Sequence, residues 1–486
     1  MGNYNPMKVY VGFDLGTTNM KALILSRDGH IITSIKERTP NVFISGVEYL
    51  DLVMVEKVID QILDSLISRY EIAGISFTSI GESVVPVRNG KMSHLPLMWH
   101  ETVTFNISQS VKDDVEKLTD YSVTGVSNDY RLSLYKILWM QKNLDLGQVD
   151  YWLPISSYFA YRLTGNPLWS ESQACRSYIY DIHARNWNYK LLDYAGICDK
   201  MGDIAYTGTP VGKWRGATIG VAGHDHITGL YGVYMLNGGT GSIFYDSMGT
   251  SSILASVVKE KNKELHFREP FFSGRTGVIG AAYGDGQYYI QNSFRYFGIF
   301  LEKLSHLIGV LPDSAHCNAL NSEISSLPSA VPQAIFSVGG DCILGAHRNR
   351  VNLLNCSFEI SRAELMQSAY IYLCSMTRMI FESLLTYCEN GPFYAGGGIV
   401  SNEIFMRYMA SAINKPIWIY ITKEITALGA AIAAISASKD LESLDAARKA
   451  LPRRQIMPDE SLSKDLAIAY KLYCDFRDSP AIAYFK

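Results

Sequence analysis

Two stretches of this chain share one arrangement, and it limits what the chain can fold into. Val9 to Ile32 reads VYVGFDLGTTNMKALILSRDGHII, and Gly241 to Val257 reads GSIFYDSMGTSSILASV. Each has an apolar strand, an Asp (Asp14, Asp246), a glycine followed by two hydroxyl residues, and a second apolar strand. The aligned cores are FDLGTT and YDSMGTS. A half-way echo in a chain of 486 residues predicts two domains of related fold. The boundary falls at the glycine-rich turn 236–240, giving domains 1–237 and 238–486.

Lys8 to Phe13 has almost no polar interruption, as in a central strand covered on both faces. Met20 to Ser26 is a second strand, Asp28-Gly29 a hairpin turn, and His30 to Ile35 the return. Val55, Val58, Ile59, Ile62, Leu63, Leu66 and Ile67 make one helical stripe, followed by a strand at Ile72 to Thr78. Two helices are expected in the middle of the chain, at YRLSLYKILWMQKN and after Pro154, the second capped by Gly165. Further on, a long helix is expected over Ala363 to Asn390 and a strand over Pro392 to Ala395. A Gly396-Gly397-Gly398 loop, a helix over Asn402 to Ile413, a strand over Pro416 to Ile421 and a small-residue helix over Ala427 to Ala437 complete the run. This is an α/β layered pattern.

In the loop Gly16-Thr17-Thr18, the glycine lets the backbone approach a ligand, while hydroxyls and N–H groups converge on one place. A bare phosphate would be repelled by Asp14. A Mg²⁺ between them, keeping some of its own waters, removes the conflict. A strand–turn–strand with a polar turn is the competing reading of one loop. Gly249-Thr250-Ser251, at the matching place in the second half, makes a pair that could clamp a triphosphate, which favours ATP.

FDLGTTNMK resembles the first phosphate loop of the actin/hexokinase/Hsp70 ATPase superfamily. Within it the chain resembles the FGGY carbohydrate kinases. The motifs run in order: GFDLGTTNMK at 12–21, GISFTSIGES at 74–83, PLMWHETV at 96–103, YRLTG at 161–165, VAGHDHITGLYGV at 221–233, SMGTSSIL at 247–254, AGGGIVSN at 395–402 and ALGAAIAA at 427–434. The resemblance implies two actin-like (ribonuclease H-like) α/β domains with a cleft between them. It implies ATP and Mg²⁺, with Asp14 at the metal and Gly16, Thr17, Thr18, Asn19 and Lys21 at one side of the phosphates. Gly249 and Thr250 take the other side, and Gly396, Gly397, Gly398, Ser401 and Asn402 the adenine and α-phosphate. Asp225 resembles the family's general base; the competing reading of an acid before that helix is an N-cap. The implied sugar contacts are Trp99, His100 and Glu101, with Asp225 and His226. Trp99 reads equally as a core residue. Glu82 stands where the family has another polar contact, or is an exposed loop acid. Val103 replaces the usual Arg, and Ser337 to Asp341 matches the family's nucleotide segment poorly.

The implied activity is phosphoryl transfer to a small sugar or polyol, a xylulose-like ketose or a related pentitol. An Hsp70- or actin-like ATPase is the first alternative, opposed by the absence of room for a peptide-binding domain. A sugar-sensing homologue with impaired catalysis is the second. The net charge of −3, with no basic run, gives no footprint for nucleic acid. No apolar run is long enough to span a bilayer. MGNYNPMKVY has no secretory pattern, and the eight cysteines form no CxxC pair. A reduced, cytoplasmic protein is therefore expected, with a homodimer as its assembly.

Overall fold

The computed structural model describes residues 6–259, 277–284, 286–311, 314–338 and 350–478. The first sheet contains β1 (Lys8–Leu15), β2 (Asn19–Ser26), β3 (Ile31–Arg38), β4 (Glu71–Ser79), β5 (Pro210–Trp214) and β6 (Ala217–His224), in the order β5-β6-β4-β1-β2-β3. β1, β4 and β6 run parallel, and the remaining pairs are antiparallel. The second sheet contains β7 (Phe244–Met248), β8 (Ser252–Lys259), β9 (Val278–Ala281), β10 (Gln287–Phe294), β11 (Phe393–Gly396), β12 (Ile417–Tyr420) and β13 (Arg453–Ile456). Its order is β9-β10-β8-β7-β11-β12-β13, with β7, β11 and β12 parallel. Each sheet thus has a central strand, a hairpin on one side, two parallel strands on the other and an antiparallel strand beyond them. The echo in the sequence is an echo in topology: Asp14 and Asp246 occupy the central strands, and the two glycine–hydroxyl loops close matching hairpins.

β1 is buried on both faces, as its composition predicts. Val9, Val11 and Phe13 join one buried cluster, and Tyr10 joins the other. The helix α1 (Leu52–Ile67) buries Val55, Ile59, Leu63 and Leu66 and is capped by Asp51, which accepts from the Met54 N–H at 3.1 Å. The two mid-chain helices are α2 (Ser133–Asn143) and α3 (Ile155–Thr164), and Gly165 ends α3 in the left-handed conformation. After β6 comes α4 (Asp225–Leu236). The long helix expected to reach Asn390 is α5 (Arg362–Leu384) and stops six residues sooner. The chain must turn there to bring Gly391-Pro392 against β7, where a Cβ at Gly391 would lie 1.8 Å from the Ser242 carbonyl oxygen.

The remaining helices are α6 (Glu403–Ile413), α7 (Ile425–Ala437) and α8 (Leu441–Ala450). The small-residue helix α7 does not stay with the second sheet. It lies in a groove on the first, over Gly12 of β1, Gly74 of β4 and Gly220 of β6. A Cβ at Gly12 would come within 2.1 Å of the Ala427 carbonyl oxygen, and one at Gly220 within 2.6 Å of the Ala437 Cβ. α7 also crosses α4 where Gly232 meets Gly429. Tyr10, Leu23 and Leu25 therefore share a core with Leu428, Ile432 and Ile435. α8 continues the contact: the Tyr10 hydroxyl donates to Asp440 at 2.6 Å, and Arg27 pairs with Glu442 at 2.8 Å.

Candidate active site

The first loop leaves β1 at Leu15 and returns as β2 at Asn19. Thr39 fixes its backbone: its hydroxyl donates to the Gly16 carbonyl at 2.7 Å, and its N–H to the Thr18 carbonyl at 3.0 Å. With those carbonyls held, Thr18 is exposed at the tip. The Thr17 hydroxyl accepts from the indole N–H of Trp99 at 3.0 Å. Trp99 is half-buried and packs on the core, so it is both a packing residue and a tie to the loop.

Asp14 is 6% exposed. Lys21 lies 3.8 Å from it and 2.6 Å from Glu424, the residue just before α7. Burial pushes the Asp14 carboxyl up to about 7; Lys21 opposes this, while Asp225 and Glu424 add to it. Burial also works against the Lys21 ammonium, but Asp14 and Glu424 outweigh it and hold Lys21 above its usual range. Asp14, Lys21, Asp225 and Glu424 thus form one electrostatic cluster. Tyr245 of β7 reaches the same place, since Asp14 and Asp225 join burial in raising its phenol.

Asp225 is not the N-cap of α4, which corrects one reading of that acid. β6 runs on through His224, so His224 takes the cap position and Asp225 the first helical turn. Asp225 Oδ1 accepts from the His226 N–H at 2.7 Å and lies 3.3 Å from His224 Nδ1. Its side chain keeps 19% exposure, which leaves the carboxylate reachable.

Glu82 is not an exposed loop acid. It is 7% exposed, and the Arg176 guanidinium clamps its Oε1, with Nε donating at 2.8 Å. Burial pushes its carboxyl up, but Arg176, His224 and Lys136 outweigh that and hold it below the usual range. Its backbone is in the left-handed region, with φ +62°, and the Ser83 N–H donates to the Gly81 carbonyl at 2.7 Å. That is a γ-turn, a strained form in a non-glycine residue.

Beside it lies buried Lys136 of α2, whose ammonium donates to the Trp99 carbonyl at 3.1 Å and to the Arg131 carbonyl. Burial lowers Lys136 to about 8. Arg131 is paired with Asp129 through Nε at 2.7 Å. Glu101 carries a buried Oε2 with no protein partner. His100 turns to Glu48, with its Nε2 2.9 Å from the carboxylate.

The second loop is anchored from behind. The N–H groups of Phe297 and Gly298 donate to the carbonyls of Thr250 and Gly249, both at 3.1 Å, and Gly249 and Thr250 are exposed. Gly397, with φ +102°, presses on this loop: a Cβ there would lie 2.2 Å from the Met248 carbonyl oxygen. Gly396 is buried against Tyr245, whereas Gly398 faces open space. Ser401 donates to the Gly398 carbonyl at 2.9 Å. Asn402 caps α6 by accepting from the Phe405 N–H at 3.0 Å, and its amide donates to Tyr370 at 2.8 Å. Gly339 to Asp341, part of the poorly matched segment, lies outside the described residues.

Asp14 is suited to Mg²⁺ that arrives with a nucleotide. Among the described residues no group of three or more His, Cys, Asp or Glu could hold a metal by itself. One carboxylate plus phosphates and water is an ordinary magnesium set.

Sequence reasoning missed Arg176, Lys136, Arg131 and Glu424. Arg176 lies in an irregular segment with no period to read. Glu424 did carry a signal, an acid directly before a helix of small residues.

Two family models match the chain. The N-terminal domain model of the FGGY family of carbohydrate kinases covers residues 9–228, and the C-terminal domain model covers residues 244–438. A glycerol kinase from Haemophilus influenzae (strain PittGG) is 23% identical over 499 residues, covering 94% of each chain. A glycerol kinase from Thermococcus gammatolerans is 22% identical, covering 90% of this chain and 91% of that one. Among solved structures, ligand-bound xylulose kinase from Lactobacillus acidophilus superposes with TM-score 0.80 at 17% identity, over 99% of this chain and 100% of that one. Plasmodium falciparum glycerol kinase with ADP gives 0.79 at 17% identity, over 98% and 100%. At such identities the structural likeness speaks to the fold, which is the two-domain actin-like one.

Proposed function

The chain belongs to the FGGY family of carbohydrate kinases, and from that premise we propose that Asp225 is the general base for phosphorylation of a xylulose-like ketose or a related pentitol. As a member of that family it is an ATP-dependent phosphotransferase with an alcohol group as acceptor.

One observation carries the assignment of the base. Asp225 has one oxygen tied to the His226 N–H, is partly exposed, and shares its field with Asp14 and Lys21. A carboxylate so placed can take the proton of an attacking hydroxyl as the bond to phosphorus forms. Trp99 offers an aromatic face and Glu101 an acceptor oxygen, which suit a polyol. The tie between Trp99 and Thr17 couples the acceptor side to the phosphate side. The loops at Gly16 to Asn19 and at Gly249 to Thr250 hold the phosphates from opposite halves, and Gly396 to Asn402 borders the nucleotide. When bound at Asp14, Mg²⁺ neutralises phosphate charge. Closure of residues 1–237 on residues 238–486 excludes water as a competing acceptor. A cytoplasmic setting and a homodimer belong to the same proposal; no helix of the described residues is long and apolar enough to cross a membrane.

The test is ADP release from Mg-ATP over a panel of ketoses, aldoses, polyols and glycerol, with Asp225→Asn alongside. One strongly stimulating acceptor is expected, with turnover falling about 10²- to 10⁴-fold in the variant. Asp225→Asn with near wild-type turnover would sink the base assignment.

A further inference from the structure

Beside Asp225 stands a buried histidine for which phosphoryl transfer itself has no need. His224 is 6% exposed. Its backbone N–H donates to the Ser172 hydroxyl at 3.0 Å. The ring leans on the backbone of Gly81, just past the matching end of the neighbouring parallel strand β4. A Cβ at position 81 would lie 2.6 Å from the His224 Cδ2 and 2.7 Å from Nε2. That edge is therefore fixed, and the other edge brings Nδ1 to 3.3 Å from Asp225 Oδ1, close but outside hydrogen-bond alignment. Nδ1 is buried and makes no hydrogen bond.

We propose that His224 is a positioning residue for Asp225, seated by the missing side chain at Gly81. This rests on the reading of Asp225 as the base. The three contacts around the carboxylate all fall on Oδ1: the His226 N–H at 2.7 Å, His224 Nδ1 at 3.3 Å and the more distant His226 Nε2 at 3.9 Å. Oδ2 is then the oxygen that takes the acceptor's proton. Four ionisable groups face His224: Asp225, Glu82, His226 and Arg176. Burial outweighs its acidic neighbours and lowers His224 to about 4, so the ring is neutral near pH 7. A neutral imidazole has one N–H, and only that edge is attracted to a carboxylate. The tautomer is therefore Nδ1–H. A contact of this length, off line before the acceptor binds, tightens in the reacting complex. The strained turn at Glu82 follows directly from Gly81 and holds the seat in place: the Glu82 carboxylate is locked to Arg176, and the Ser83 N–H donates across the turn to the Gly81 carbonyl.

Two measurements test this. The first is ¹⁵N NMR of histidine-labelled protein at pH 7, with the His224 resonances assigned by their loss in His224→Leu. The expected result is a neutral Nδ1–H ring in the wild type that shifts towards Nε2–H in Asp225→Ala. An Nε2–H ring in the wild type overturns the proposal, and this readout needs no acceptor. The second is turnover of Mg-ATP with D-xylulose or glycerol as acceptor. His224→Leu should lower kcat by about tenfold or more with KM for ATP unchanged. His224→Asn, whose amide can donate in place of Nδ1–H, should recover much of that loss. Gly81→Ala should reproduce the loss with His224 intact. If Asp225→Asn is inactive while His224→Leu and Gly81→Ala turn over like the wild type, this proposal falls and the base assignment stands. If Asp225→Asn itself turns over normally, the assignment of the base falls instead.

Discussion

Asp246 is the counterpart of Asp14 in the second sheet, but it is sealed. It is 0% exposed, Ser252 donates to its Oδ1 at 2.7 Å, and its Oδ2 has no partner. Burial pushes its carboxyl up to about 7 against this single hydrogen bond. The folded state therefore holds a proton that the unfolded state releases above about 3.8. Stability from this group is complete below that pH and is lost as pH rises through about 7. Between pH 5 and pH 8 this amounts to about two pK units, or roughly 2–3 kcal/mol.

Replacing Asp246 by Asn removes the titration. Thermal unfolding of wild type and Asp246→Asn across this range isolates the effect, because every other group is common to both. With an unfolding entropy of about 2.1 cal/mol/K per residue, 1 kcal/mol is worth about 1 °C if the whole chain melts together and about 2 °C if one half melts alone. The wild type should lose about 3–5 °C relative to the variant on going from pH 5 to pH 8. A difference between the two proteins that stays constant over this range would refute the reasoning. The carboxylate would then have to be ionised in the fold and partnered by something other than Ser252.

Three further outcomes follow from contacts already described. Gly12→Ala drives a methyl into the α7 backbone and should cost about 1–3 kcal/mol, seen as a lower Tm together with weaker ATP binding, since Glu424 moves with the helix. Glu82→Gln strips the partly buried Arg176 of its charge partner and should destabilise by about 1–3 kcal/mol in denaturant titration; Arg176→Met in the same background should restore part of it. Thr17→Val leaves the Trp99 indole N–H without an acceptor and should cost about 1–3 kcal/mol of local order, read as a raised KM for the sugar acceptor.

Much of this molecule is readable from its residues where the signal is local. The apolar run at β1, the stripe of α1, the Gly165 terminator and the echo of FDLGTT in YDSMGTS all depend on neighbours within one or two elements. What stayed hidden is long-range. Glu424 reaches Lys21 from the other half of the chain, Arg176 finds Glu82 across 94 residues, and His224 fits Gly81 only because β4 and β6 lie side by side. A glycine in IGES carries no hint of the ring that will fill its place. Nor does an Asp before a helix announce that the strand will run one residue further and hand the cap to His224.

The groove of Gly12, Gly74 and Gly220 has a consequence for how the chain is made. Its strands are complete once residue 224 has left the ribosome, but the helix that fills it spans Ile425–Ala437. At ordinary translation speeds roughly 10–40 s separate the two. For that interval the nascent first half carries an apolar sheet face whose covering helix α7 has not been synthesised. The first sheet therefore completes its core only when the far end of the chain arrives.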